Sequence, residues 1–571
     1  MGLGAWKPSQ GRLLTIALLT LLGVSVGVPL VTVLLSSLKP DSALPFDAAP
    51  ISLQHYATVF LNSSTWRLLG NTALYAGATL LFGLPLAFLV AWLLERTDMP
   101  LAGAIQTSLF VPLAMPGMIT AFGWVLLLNP RNGVINGWLR SLTGGQGEGP
   151  VNVYSLAGMI FVTVLGVTPT MVVLLSGLLR NFDPTLEEAA RMSGASGLAV
   201  LRRVAGPLAF PGLLATAIAV AVVMIELFDI PLVIGLTSGT RVLATQIYAA
   251  TRGDGAGQTY GLAATYGLIG LVIGAALMQV YGRVTRTANK YSVIGGKAFQ
   301  QRRQQLGAWR WAALGLVVLV FILEVVLPFA LLIWASLLRF YQPPSMQALS
   351  QVSLGRYAAV FVDEPRVGMM VTNTLLLIGI TSTVVMVLSV LVSWSAVRDL
   401  GVMGRLLDSL SFAPLSMPAL LIALALLLVS IGTPLQGTLA IIIIGLTIRY
   451  LPFGARLMNG AILQIKQELE EAATMSGAGI SATLRRIVVP LVSPALFNGW
   501  LWVAAHAVRD LTFPLFLISA NNLVISGFLW EYWAGGRIAE GSAIAVVQVL
   551  FILLLVLPAR FYAGATGMIR T

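Results

Sequence analysis

Two stretches of the chain, 283 positions apart, carry almost the same polar sequence. Residues 186–195 read LEEAARMSGA and residues 469–478 read LEEAATMSGA; only Arg191 and Thr474 differ. A basic pair and a proline follow each copy at the same distance, Arg202, Arg203 and Pro207 in one, Arg485, Arg486 and Pro490 in the other. The chemistry on offer is docking rather than bond-making. Glu187 and Glu188, like Glu470 and Glu471, can pair with basic groups on a partner. Ala189, Ala190 and Gly194, like Ala472, Ala473 and Gly477, are small enough to admit close backbone approach. Asp183 and Pro184 form a good helix start in the first copy. Lys466 and Gln467 replace them in the second and cap it less well. Gly194 is expected to break the helix. A helix of about ten residues is unstable alone in water, so each must pack on its own protein, on a partner, or on both. Two near-identical copies in otherwise diverged halves favour a paired docking site over plain connectors.

A second set of charges lies in or beside apolar stretches: Glu226, Asp229, Glu324, Arg449, His506, Arg509 and Asp510. A charge at a bilayer centre costs about 2.5–3.5 kcal/mol on insertion scales, so such groups pair or line cavities. Glu226 and Arg509 are themselves 283 apart, an acid and a base at equivalent positions. They are expected either to pair across the bundle axis or, with Asp229 and Asp510, to line a polar path. His506 has only His55 for company, and no metal site is expected. Glu324 receives no role. With no cysteine, disulfides, thiolate catalysis and cysteine-ligated metals are excluded. No GxxxxGK[ST] phosphate loop occurs, so no catalytic residue and no bound cofactor is expected, and any ATP belongs to another chain. LTGGQGEG (142–149) reads as a glycine-rich loop.

The elements that must position these groups are membrane helices. The chain is 57% hydrophobic and 10% charged, with a mean hydropathy of +0.89, too few charges for a soluble domain of 571 residues. Spans of about 20 apolar residues fit helices, not the alternating strands of a barrel. Twelve are expected, near 12–36, 68–94, 102–128, 152–179, 208–236, 258–282, 310–337, 368–397, 406–430, 437–461, 492–520 and 541–563. The first apolar run, Leu13 to Leu35, is too long for the core of a signal peptide. Prolines inside spans are tolerated where neighbours satisfy the freed backbone.

Further pairs mark an internal duplication: Asn71-Thr72 with Asn373-Thr374, and VPLAMPG (111–117) with APLSMPA (413–419), both 302 apart. The offset falls to 283 after the polar loop 129–150, which the second half replaces with the short GTPLQGT. The expected organisation is a six-span half at 1–290, a basic linker at 291–309 and a second half at 310–571. An even span number makes the repeats parallel. Residues 283–310 hold seven Lys and Arg and no acid, which predicts a cytoplasmic linker. Both termini and both LEEAA loops then fall on that side, and 129–150 on the other. The net charge of +12 fits cytoplasmic loops in a lipid membrane and calls for no nucleic acid.

The repeated segment resembles the cytoplasmic motif of binding-protein-dependent ABC importer permeases, in which Glu-Ala-Ala, a glycine, a branched apolar residue and a proline recur at fixed spacing. Here the positions are Glu188-Ala189-Ala190, Gly194, Val204 and Pro207, then Glu471-Ala472-Ala473, Gly477, Ile487 and Pro490. Gly206 and Val489 depart from the leucine usual before the proline. The resemblance covers both halves. It implies an all-α membrane fold of the type I importer permease kind and a bacterial inner-membrane location. It also implies coupling helices seated on two cytoplasmic ATPase subunits, and an extracytoplasmic solute-binding protein. Because the halves are fused, no second permease copy is called for. The fused form resembles the ferric-iron type, supported by ELFDIPLVIG (226–235), RVLATQIY (241–248) and SVIGGKAF (292–299). That implies ferric iron as cargo, with thiamine, polyamine and aminoethylphosphonate as the alternatives. An ion-driven secondary transporter is the competing class; the loop ERTDMP (95–100) lacks the basic signature of the major facilitator group.

Overall fold

The computed structural model describes residues 8–41, 43–144, 147–180, 190, 192–194, 199, 203, 206–253, 258–291, 304–399 and 401–565. Among these the regular secondary structure is helical, apart from a single bridge between Thr97 and Gln304. Among the described residues nine helices are long and apolar enough to cross a membrane, and three bent pairs bring the spans to as many as twelve if each pair is one span.

In chain order the helices used below are α1 (Pro8–Leu38), α2 (Ser63–Arg96), α3 (Gly117–Leu128), α4 (Leu156–Arg180), α5 (Gly206–Glu226), α6 (Leu243–Arg252), α7 (Tyr260–Tyr291), α8 (Trp309–Ser336), α9 (Val367–Arg398), α10 (Ala419–Ser430), α11 (Leu439–Ile462), α12 (Gln467–Met475), α13 (Val489–Arg509), α14 (Ile525–Ala534) and α15 (Ile538–Ala565).

The third span of each half is not the continuous helix expected. It bends by 89° before α3 and by 97° before α10. The breaks fall at Met115-Pro116 and Met417-Pro418, where both methionines are extended (ψ 123° and 121°). A residue before proline is driven out of the helical region, which explains the geometry. By contrast Pro85, Pro169, Pro452 and Pro494 lie inside helices that run on. The fifth span also departs from expectation, bending by 47° between Phe210–Glu226 and Pro231–Ser238.

The broken helices form the centre. Every residue of α3 after Gly117 is buried, and α10 is nearly so. Around them the halves exchange their first spans. α1 packs on Val402–Phe412 and α10 of the second half, and the last turns of α8 pack on α3 of the first. Close approach there depends on Gly123. A Cβ at this position would strike the backbone of Pro328. The loop 129–150 is tied down by buried Asn136. Its Nδ2 donates to the carbonyls of Leu128, Asn129 and Val151 at 3.0, 3.1 and 2.6 Å.

Gly123→Val is therefore expected to destabilise the folded protein by about 1–3 kcal/mol through overpacking. Gly77→Ala, on a helix face with nothing within 4 Å, should be silent. Fluorescence-detected gel filtration after a temperature ramp reads both. Equal melting of the two variants would contradict the close α3–α8 packing.

Candidate functional site

The second LEEAA copy forms α12. Lys466 precedes it and supplies no side-chain cap, as its sequence suggests. The helix ends where Gly477 takes φ +83°. Gly477 N donates to Thr474 O and Ala478 N to Ala473 O, both at 2.9 Å, a closure that satisfies the last carbonyls. In the first copy Glu187, Glu188 and Ala189 lie outside the described residues. Ala190 is helical, and Gly194 has φ +85°, so the glycine breaks both copies alike.

Of the acids of α12, Glu470 and Glu471 have different surroundings. Glu470 is 1% exposed. Its Oε1 accepts from Arg398 Nε and Nη2 at 3.0 and 2.6 Å, and its Oε2 from Trp394 Nε1 at 2.9 Å. Glu471 is exposed, whereas the Glu470 carboxylate, expected to pair with a partner's basic groups, is held by its own chain. Ala472, Met475 and Gly477 share the exposed surface, while Ala473 is half-buried. Sequence reasoning missed Trp394 and Arg398. The signal was present: Trp92 and Arg96 stand 302 residues earlier, at the offset of the Asn-Thr pairs.

Between them the halves enclose a cavity of about 730 Å³. Glu226, Asp229, Arg509 and Asp510 all line it, together with Arg449, Tyr450 and His506. Sequence reasoning named Arg449 only as an intramembrane charge and did not single out Tyr450, because neither residue has a charged counterpart in the other half.

Glu226 does not pair with Arg509. Its Oε1 accepts from Arg449 Nη2 on α11, and its Oε2 accepts from the backbone N–H of Ala419 at 3.2 Å. Ala419 is the first residue of α10, so the carboxylate meets the positive end of the broken helix. Arg509 does the converse. Its Nη1 donates to Leu113 O, a carbonyl in the last turn before the Met115-Pro116 break. Asp229 sits against the start of α3, since a Cβ on Gly117 would lie 3.5 Å from Asp229 Oδ2. Asp510 accepts from Phe513 N and Tyr450 Oη, each at 3.1 Å. His506 Nδ1 lies 2.9 Å from Trp502 O within its own helix, and the Phe453, Trp502 and His506 rings stack in series. The charges thus serve two purposes at once: they satisfy helix ends inside the membrane and make the cavity polar. Glu324 is 5% exposed within a wide turn of α8, and its Oε1 has no hydrogen-bond partner.

A second cavity, of about 410 Å³, opens toward the 129–150 loop. Asn129, Asn132, Tyr154, Tyr341, Trp530 and Trp533 are in its wall. Residues of both halves wall each of these cavities.

Residues 83–290 and 389–565, about two-thirds of the chain, match the family described as binding-protein-dependent transport system inner membrane component. The chain belongs to this family, in two fused copies. Similar curated proteins include the ferric transport system permease protein FbpB of Actinobacillus pleuropneumoniae, 25% identical over 85% of this chain and 70% of that protein. In Haemophilus influenzae a putative ferric transport system permease protein, FbpB 1, is 24% identical over 84% and 74%. The Fe(3+)-transport system permease protein FbpB 2 of the same organism is 21% identical over 93% and 96%. The protein is therefore a multi-pass inner-membrane permease of a binding-protein-dependent system.

Breaking the Glu226–Arg449 pair leaves a charge uncompensated in the membrane. Arg449→Leu is expected to lose about 3–5 kcal/mol of stability, and Glu226→Gln combined with it should recover a large part. A double-mutant cycle on thermal unfolding in detergent measures the coupling. Effects that add to within about 0.5 kcal/mol would show that the two residues act independently.

Proposed function

We propose that this chain is the transmembrane permease subunit of an ATP-driven importer of ferric iron. It receives cargo from an extracytoplasmic solute-binding protein at the face carrying loop 129–150. Two cytoplasmic ATPase subunits drive it through the segments Glu187–Gly194 and Glu470–Gly477. The observation that carries this reading is the family match over both halves, joined to the ferric-transport names of relatives that align with most of the chain. Glu471, Ala472 and Met475 offer an exposed docking face, and Glu188 is its counterpart by sequence. The linker 291–309 and both termini would lie on the ATPase side. The ATP chemistry resides in the partner, and this chain supplies the path along Glu226, Asp229, Arg509 and Asp510. Fusion of two unlike halves makes a second permease copy unnecessary.

The test is Glu188→Lys combined with Glu471→Lys. Uptake of radiolabelled ferric iron by cells carrying the complete system is expected to fall by about tenfold or more, with less ATPase co-purifying. Parental uptake and parental co-purification would overturn the coupling assignment. Parallel assays with labelled thiamine, spermidine and aminoethylphosphonate separate the cargo classes. Uptake into vesicles driven by a proton or sodium gradient, with no ATPase present, would favour a secondary transporter instead.

A further inference from the structure

The repeated Asn-Thr pair near the start of the second span of each half plays no part in the cavity or in the docking face. Its two copies nevertheless make the same contacts. In the second half, Thr374 Oγ1 accepts from the backbone N–H of Ile525, the first residue of α14, at 3.0 Å. Asn373 Nδ2 donates to the carbonyls of Asn521 and Leu523, both at 3.1 Å. In the first half, Thr72 Oγ1 accepts from Leu243 N, the first residue of α6, at 2.9 Å. Asn71 Nδ2 reaches Arg241 O at 3.4 Å. Each pair therefore clasps the start of a short helix that no sequence pattern had placed beside it.

α14 brings Trp530, Trp533 and Ala534 to the wall of the 410 Å³ cavity. At its other end α9 holds Trp394 and Arg398, which together enclose the Glu470 carboxylate of α12. From Thr374 to Arg398 is a single unbroken helix of about 36 Å. Both grips are made of backbone-directed or buried charge-assisted hydrogen bonds, not of apolar surfaces free to slide. Trp92 and Arg96 close α2 at the equivalent positions, so the arrangement of grips is duplicated in sequence.

Resting on the coupling reading above, we propose that α9 is the rod that carries displacement of the coupling helix α12 to α14 at the opposite face. Trp394 and Arg398 position one end, and Asn373 and Thr374 position the other. Opening of the outer cavity is then driven along this helix rather than through the cargo cavity.

The chain has no cysteine, so Asn132→Cys and Ala534→Cys, on two walls of the outer cavity, give a clean pair for spin labels. The labelled permease is purified with its co-expressed ATPase subunits and the distance distribution is read by electron–electron double resonance, with and without ATP plus vanadate. In the parent, nucleotide trapping is expected to shift the distance. In Asn373→Ala combined with Thr374→Val, the shift should vanish and uptake should drop by about tenfold, while ATPase turnover and complex assembly stay parental. Thr374→Ser, which keeps the acceptor, should retain the shift. A parental shift in the double variant overturns the inference. So does a parent in which nucleotide leaves the distance unchanged. Neither outcome touches the coupling reading, which stands or falls on uptake and ATPase co-purification in the variant combining Glu188→Lys with Glu471→Lys.

Discussion

The architecture turns on two helix ends that lie inside the membrane. Met115-Pro116 and Met417-Pro418 break the third span of each half, and a broken helix leaves backbone N–H and C=O groups without partners. In hydrocarbon each such group costs several kcal/mol unless the protein supplies a partner. The partners come from the opposite half. Glu226 of the first half accepts from the first N–H of α10, and Arg509 of the second half donates to Leu113 O ahead of α3. The exchanged first spans cover the flanks of the same broken helices. Neither half can complete its own centre, which is why the polar cavity lies between them and not inside one repeat.

This constraint also explains charges that would otherwise be costly. An ion pair buried in place of apolar residues is often neutral or unfavourable for stability. Glu226 and Arg449 do more than attract each other, because the carboxylate also meets the start of a helix whose dipole favours it. Asp229 at the start of α3 follows the same rule. Groups with such a duty can be retained for structure and still present the polar surface that a cargo path requires.

Much of this was legible in the sequence, and what was not has a common cause. The duplication, the span count and the glycine that ends each LEEAA helix follow from local pattern, and Gly194 and Gly477 take the left-handed conformation that their type suggests. The breaks at Pro116 and Pro418 did not stand out, because Pro85 and Pro452 sit in similar apolar runs and leave their helices intact. The difference is whether distant groups receive the freed backbone. Local sequence does not record that, any more than it recorded that Glu226 would choose Arg449 over its symmetry mate Arg509. Glu470 is a similar case. Two adjacent acids look alike in sequence, yet a helix turns them about 100° apart. One enters the clamp of Trp394 and Arg398, and the other stays in solvent.

The equivalence of positions 226 and 509, 283 residues apart, bears on why two halves are fused. In a dimer of identical halves, the equivalent position would carry two acids or two bases facing one cavity. Like charges in a site of reduced dielectric repel far more strongly than in water. A single chain with diverged halves escapes this constraint, since one fifth span can carry the acid that suits a helix start and the other the base that suits a helix end. The two broken helices are then held by opposite chemistry, N–H to carboxylate on one side and C=O to guanidinium on the other.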